Sequence, residues 1–151
     1  MPVSADLALS NRIQTERLRH MVAHLTPAQL AVRLPNGWSV AGALAHVAFW
    51  DRQRLCLMQR WARGLNGPGG YDGEVFNAAL QPLLERIPPE QVLVAVLQAA
   101  EEIDAFLLEV PTEVVRAALA RPDAPRLDRG AHRRYHLDQI EKALAATTHT
   151  K

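Results

Sequence analysis

One cysteine stands in 151 residues, so no intrachain disulfide framework can staple this chain, and Cys56 fits a reducing cytoplasm. Neither sign of charge is in excess. Seventeen Lys and Arg face sixteen Asp and Glu, a net charge of +1 that leaves no electrostatic footprint for nucleic acid or an anionic membrane surface. No run of apolar residues is long enough for a transmembrane helix. The opening Met1-Pro2-Val3-Ser4-Ala5-Asp6 lacks the basic and apolar regions of a signal peptide, so cytoplasmic localisation is expected. Aromatic residues make up only 5%, and period-two alternation of β-branched residues is absent, which argues against a sheet. No repeat suggests a solenoid. No Ser-His-Asp set, P-loop or Gly-x-Gly-x-x-Gly tract is present.

What is there is helical spacing from end to end. The length predicts one domain over residues 1–151 with its own core. The first helix runs from about residue 4 to 24, with Leu7, Gln14, Leu18, Met21 and Leu25 on one side and a short helical piece following near 28–33. Ser39 caps a second helix reaching about 63, with Trp38 placed to staple its first turn. The tract Asn66-Gly67-Pro68-Gly69-Gly70 is the one flexible stretch, and a shorter helix near 73–86 follows, kinked or divided at Pro82. Pro88-Pro89 opens a third long helix to about 109, with Val92, Val96, Ala99, Ile103, Phe106 and Leu107 as its stripe. A looser segment, residues 111–125, holds a helical turn near 113–120. The fourth long helix spans about 127–147, with a frayed tail through Lys151. The connection between the second and third long helices far exceeds the 2–8 residues usual between antiparallel neighbours, so these two helices should run parallel across a long crossover. The expected fold is an all-α four-helix bundle, up-down-down-up.

Six histidines punctuate this pattern, and His20/His24 and His132/His136 are each spaced i,i+4. That spacing puts two imidazoles on one helical face, about 5–6 Å apart at Cβ, near enough to share one ion. His136 falls inside the apolar stripe of its helix and His132 at the edge, whereas His20 and His24 face more toward solvent. His46 edges the core early in the second helix. An up-down-down-up bundle would start the second and fourth long helices at opposite ends, so convergence of His46 with His132 and His136 depends on the stagger between them. Otherwise they are boundary histidines with hydrogen-bonded rings.

Two segments carry a resemblance. Gly37-Trp38-Ser39-Val40-Ala41-Gly42-Ala43-Leu44-Ala45-His46-Val47-Ala48-Phe49-Trp50-Asp51 and His132-Arg133-Arg134-Tyr135-His136-Leu137-Asp138-Gln139-Ile140 resemble the two ligand-bearing helices of the DinB-like, or YfiT-like, family of metalloenzymes. Tyr71–Leu80 is similar to a segment of one branch, and the likeness in helix order extends from Leu9 to Leu144. The resemblance implies that His46, His132 and His136 hold a divalent metal. It also implies the up-down-down-up order and chemistry with a low-molecular-weight thiol such as mycothiol or bacillithiol. Three neutral imidazoles suit Zn²⁺, Ni²⁺ or Fe²⁺ and leave a coordination position open.

Around them, Arg54 either pairs with Asp51 or binds a carboxylate on substrate or thiol. Trp50 and Trp61 pack the core or line a pocket, and Tyr135 is either a surface tyrosine or a proton donor beside the metal. Asn77 caps or pins the crossover. Cys56 points away from His46, and Arg126, Arg129, Arg133 and Arg134 read as a solvated basic face. The expectation is a metal-dependent, thiol-using transferase or isomerase, or a hydrolase, acting on a small molecule. The alternative is a non-catalytic bundle, as a homodimer, that binds or sequesters a small molecule.

Overall fold

The computed structural model describes residues 2–148, and among them the protein is all-α. Seven helices follow in order: α1 (Ala5–His24), α2 (Pro27–Leu30), α3 (Val40–Ala62), α4 (Gly73–Leu84), α5 (Pro89–Glu109), α6 (Thr112–Leu119) and α7 (Arg129–Thr148). Their starts follow from local chemistry. Ser4, Ser39 and Asp72 each accept from backbone N–H groups of the turn they open. Thr26 and Gln29 close a reciprocal capping box on α2. Glu85 strengthens the α3 cap, accepting from the Ser39 N–H at 2.7 Å and its hydroxyl at 2.8 Å. Gly37 and Gly64 take positive φ, +88° and +73°, in the turns that flank α3. Pro82 does not divide α4, because it lies in the last turn of a helix that ends at Leu84. The tail beyond Thr148, with His149 and Lys151, lies outside the described residues.

Pairs of facing residues fix the directions. On α1 and α7, Asn11 meets Leu127 and Gly130 while Arg17 meets Asp138 and Glu141, so these helices run parallel. On α1 and α5, Thr15 meets Asp104 and Arg19 meets Glu101, so these are antiparallel. Residues 40–47 of α3 pack with Val92 and Val96, and Leu55 and Met58 pack with Ile103 and Leu107, so α3 and α5 run parallel. On α3 and α7, His46 meets His136 while Asp51 meets Arg129, so these are antiparallel. The order is therefore up-down-down-up. The crossover carries α4, pinned to α3 by Asn77, whose side-chain oxygen accepts from Trp50 Nε1 at 3.0 Å.

The core comes in two apolar clusters, one around Leu44, Val96 and Ile140 and the other around Met58, Ile103 and Leu127. The long helices α1, α3 and α5 cross from one to the other through a polar layer, and α7 begins at that layer. Here Arg129 and Arg133 are buried, at 2% and 0% exposure, and do not form a solvated face. Asp51, fully buried, accepts from Arg129 Nε at 2.7 Å and Arg133 Nε at 2.8 Å. Arg133 also bonds Asp104 through both terminal nitrogens, at 2.9 and 3.0 Å, and donates to Thr15 and to the carbonyls of Asn11 and Ala100. Two arginines and two aspartates balance, and nearly every donor is met, which is the condition under which buried charge is tolerated. The expected Asp51–Arg54 pair does not form, because both Asp51 oxygens are taken by α7. On α1 the buried face is Asn11, Thr15 and Leu18, with Leu7, Gln14 and Met21 only half-buried.

Candidate metal centre

His46 sits in the second turn of α3, and His132 and His136 sit in the opening turns of α7. Their helices begin at opposite ends of the bundle. The stagger that sets Asp51 against Arg129 and Arg133 also slides the start of α7 along α3 until the three imidazoles face one another. One nitrogen from each lies within 4.8 Å of the others. Ring centroids are 4.6 Å apart for His46–His136, 4.7 Å for His132–His136 and 5.5 Å for His46–His132.

Burial and a neighbouring cation keep all three neutral. Desolvation, then the Arg129 charge, lowers the His46 pKa to about 4. Desolvation, then His46, then Arg129, lowers that of His136 to about 3, and His132 moves furthest down for the same kinds of reason. At neutral pH every ring therefore keeps a lone pair free of a proton.

The three rings could hold a divalent ion, and two of them are open to one. His46 Nδ1 is buried with no hydrogen-bond partner among the described residues, a costly state unless something takes up that nitrogen. Among the described residues, no hydrogen bond reaches either ring nitrogen of His136. His132 differs: Arg129 Nη2 lies 2.9 Å from its Nδ1, and since a guanidinium only donates, Nδ1 accepts and the ring proton sits on Nε2. A metal-bound imidazole is ordinarily backed by an acceptor instead, so Arg129 competes with an ion for His132.

The three rings lie in the wall of a cavity of about 990 Å³. Trp38 and Trp50 stand edge-on to His46, at 5.5 and 6.3 Å between centroids. Trp50 is both core and wall, and Tyr71 stacks on it at 5.4 Å. Tyr135 is 60% exposed, yet its ring lies 5.1 Å from that of His136 and it lines the cavity. Arg54 lies over the faces of Trp50 and Tyr71 and donates to the Tyr71 hydroxyl at 2.6 Å and to Gln53.

Outside the site, His20 and His24 pack ring against ring on the surface, and Cys56 is exposed and does not line the cavity. Trp61 is half-buried beneath Arg121, packed against the second apolar cluster, and does not line the cavity. Arg129 and Tyr71 are the site residues that sequence reasoning missed. For Arg129 a signal existed: counting 100° per residue from His132, Arg129 falls at about 60° and Arg133 at about 100°, inside the stripe near 80°. For Tyr71, in an irregular segment, no periodic signal exists.

Comparison with protein-family models, with curated proteins and with solved structures finds no match for this chain.

Proposed function

We propose that this protein is a metal-dependent enzyme of DinB-like type, in which His46, His132 and His136 hold one divalent ion, zinc or nickel, with iron as a further candidate. The reaction is the transfer or isomerisation of a small molecule with a low-molecular-weight thiol. The observation that carries this reading is the meeting of three neutral imidazoles, from two helices far apart in sequence, in the wall of one large cavity. Such an ion would supply Lewis acidity and make a thiol or water that joins it a nucleophile at neutral pH.

The chain's own residues supply the rest. Burial keeps the three imidazoles neutral, so His46 and His136 each offer a lone pair, while His132 would give up its Arg129 contact to do so. Trp38 and Trp50 shield the histidines from bulk water on one side. The Tyr135 phenol, beside His136 and open to the cavity, is placed to hand a proton to a leaving group.

The test starts from protein purified without a histidine tag, stripped with chelator and titrated with zinc. One ion per chain is expected. His136→Ala should weaken uptake by at least about a hundredfold, and His20→Ala should leave it unchanged. Electrophilic substrates are then offered with mycothiol, bacillithiol or glutathione. Turnover should vanish on chelation and survive Cys56→Ala. Equal losses of zinc from the His20 and His136 variants, or turnover that persists in chelator, would overturn the reading. Zinc uptake and ligand binding without turnover would favour a sequestering bundle.

A further inference from the structure

Arg54 is a half-buried cation without a counter-charge. No carboxylate among the described residues lies within ion-pair distance of it. Gln53 and the Tyr71 hydroxyl, both neutral, take its Nη1, and its Nε is buried with no partner. The contrast with its neighbours is sharp. Arg129 and Arg133 sit deeper, yet each has Asp51, and Arg133 has Asp104 as well. The shortage extends to the cavity as a whole. Arg54 and Arg126 line it beside the already paired Arg129, against the single carboxylate of Asp128. That carboxylate is engaged elsewhere, accepting from the Ala131 N–H at 2.8 Å and the Ser10 hydroxyl at 3.4 Å.

A guanidinium held against two aromatic faces and short of hydrogen-bond acceptors is costly to keep unless an anion completes it. Position matters too, since one indole, that of Trp50, separates this cation from the imidazole of His46. A molecule spanning Trp50 therefore touches both ends.

We infer that the cavity takes a small organic carboxylate with a flat apolar body, its anionic end on Arg54 and its other end at the three histidines. A carboxylate matches better than a phosphate. A single singly charged guanidinium with one neutral hydroxyl beside it offers one unit of charge and a planar fork. The stacked Trp50 and Tyr71 rings provide the flat wall for the body. The position of the reacting end rests on the metal-centre reading; the Arg54 contact does not.

The experiment is calorimetric titration with trans-cinnamate, its neutral isostere cinnamamide and inorganic phosphate. Each is added to zinc-loaded protein and to protein stripped with chelator. Cinnamate should bind both forms at least tenfold tighter than cinnamamide, and phosphate should bind more weakly than cinnamate. Arg54→Gln should lose at least tenfold for cinnamate and nothing for cinnamamide, with Arg54→Lys between. Circular dichroism checks that the variants fold. If Arg54→Gln does not, the acid-to-amide ratio on the natural chain and the Arg54→Lys value decide. Equal binding of acid and amide, tighter binding of phosphate, or undiminished cinnamate binding in Arg54→Gln overturns the inference. So does cinnamate binding that needs zinc and is lost in His136→Ala but kept in Arg54→Gln, since the ion would then be the receptor. Cinnamate held through Arg54 in a protein that takes up no zinc supports the inference and strikes only the metal-centre reading.

Discussion

Replacing Asp51 with asparagine tests whether the polar layer holds the bundle together. The substitution keeps shape and volume, so any loss is electrostatic. In the natural chain each Asp51 oxygen accepts one short bond, from Arg129 Nε and Arg133 Nε, and the residue is wholly buried. In Asp51→Asn one oxygen survives, and the new NH₂ points a donor at a guanidinium donor. Arg133 still has Asp104. Arg129 keeps only the Arg126 carbonyl and the His132 ring, neither of them charged. One buried cation is thus left without a counter-charge, the case in which a broken buried pair costs about 3–5 kcal/mol. That is a large share of the roughly 5–15 kcal/mol by which such domains are stable. The melting temperature should fall by roughly 6–20 °C at about 2–4 °C per kcal/mol. Urea unfolding of stripped protein at pH 7.5, followed by circular dichroism, measures it. Asp104→Asn should cost less, because Asp104 is partly exposed and water can replace it. A loss below about 1 kcal/mol for Asp51→Asn, the size of a surface pair, would refute the reasoning.

Two further outcomes follow from the same structure. The histidine pKa values of about 4 and 3 lie below the unfolded value near 6.5, so the unfolded chain binds more protons between those limits. Stability of the metal-free protein should therefore fall as pH drops from about 6.5 toward 4, by about 3 kcal/mol from His46 alone, and a flat profile between pH 7 and 5 would contradict this. Gly130→Ala should cost about 1–3 kcal/mol in a urea titration, because its Cβ would stand 2.6 Å from the Ser10 backbone and force α1 off α7; an unchanged midpoint would show that the helices part without penalty.

Helix positions and order were legible because the 3.6-residue pattern, the Ser39 cap and the Pro88-Pro89 start are local signals. The crossover was legible from its length. Three things were not. The stagger between α3 and α7 is a tertiary quantity, set by where Asp51 meets Arg129 and Arg133, and spacing within one helix carries no trace of it. Arg129 and Arg133 were hidden by their type: arginine on an apolar stripe reads as surface unless a carboxylate from another helix is known to wait there. Asp51 was weighed as a partner for Arg54 because a residue three positions away is visible in sequence and one 78 residues away is not. The buried Asn11 and Thr15 of α1 belong to the same layer and were passed over in favour of leucines.

The parallel pairing of α1 with α7 joins the first and last of the described helices, and it sets an order on biosynthesis. The parallel α3 and α5 can meet as soon as residue 109 leaves the ribosome, bringing His46 with them. The other two histidines lie at positions 132 and 136, so the nascent chain carries one imidazole of the cluster until α7 is made. Asp51 and Asp104 wait likewise for the arginines that will neutralise them. Contacts of such sequence separation form late, after most of the entropy of loop closure has been lost. The three-histidine cluster thus assembles only once α7 has been made. A chain cut short before α7 would carry Asp51 without either of its cations and His46 without the other two imidazoles.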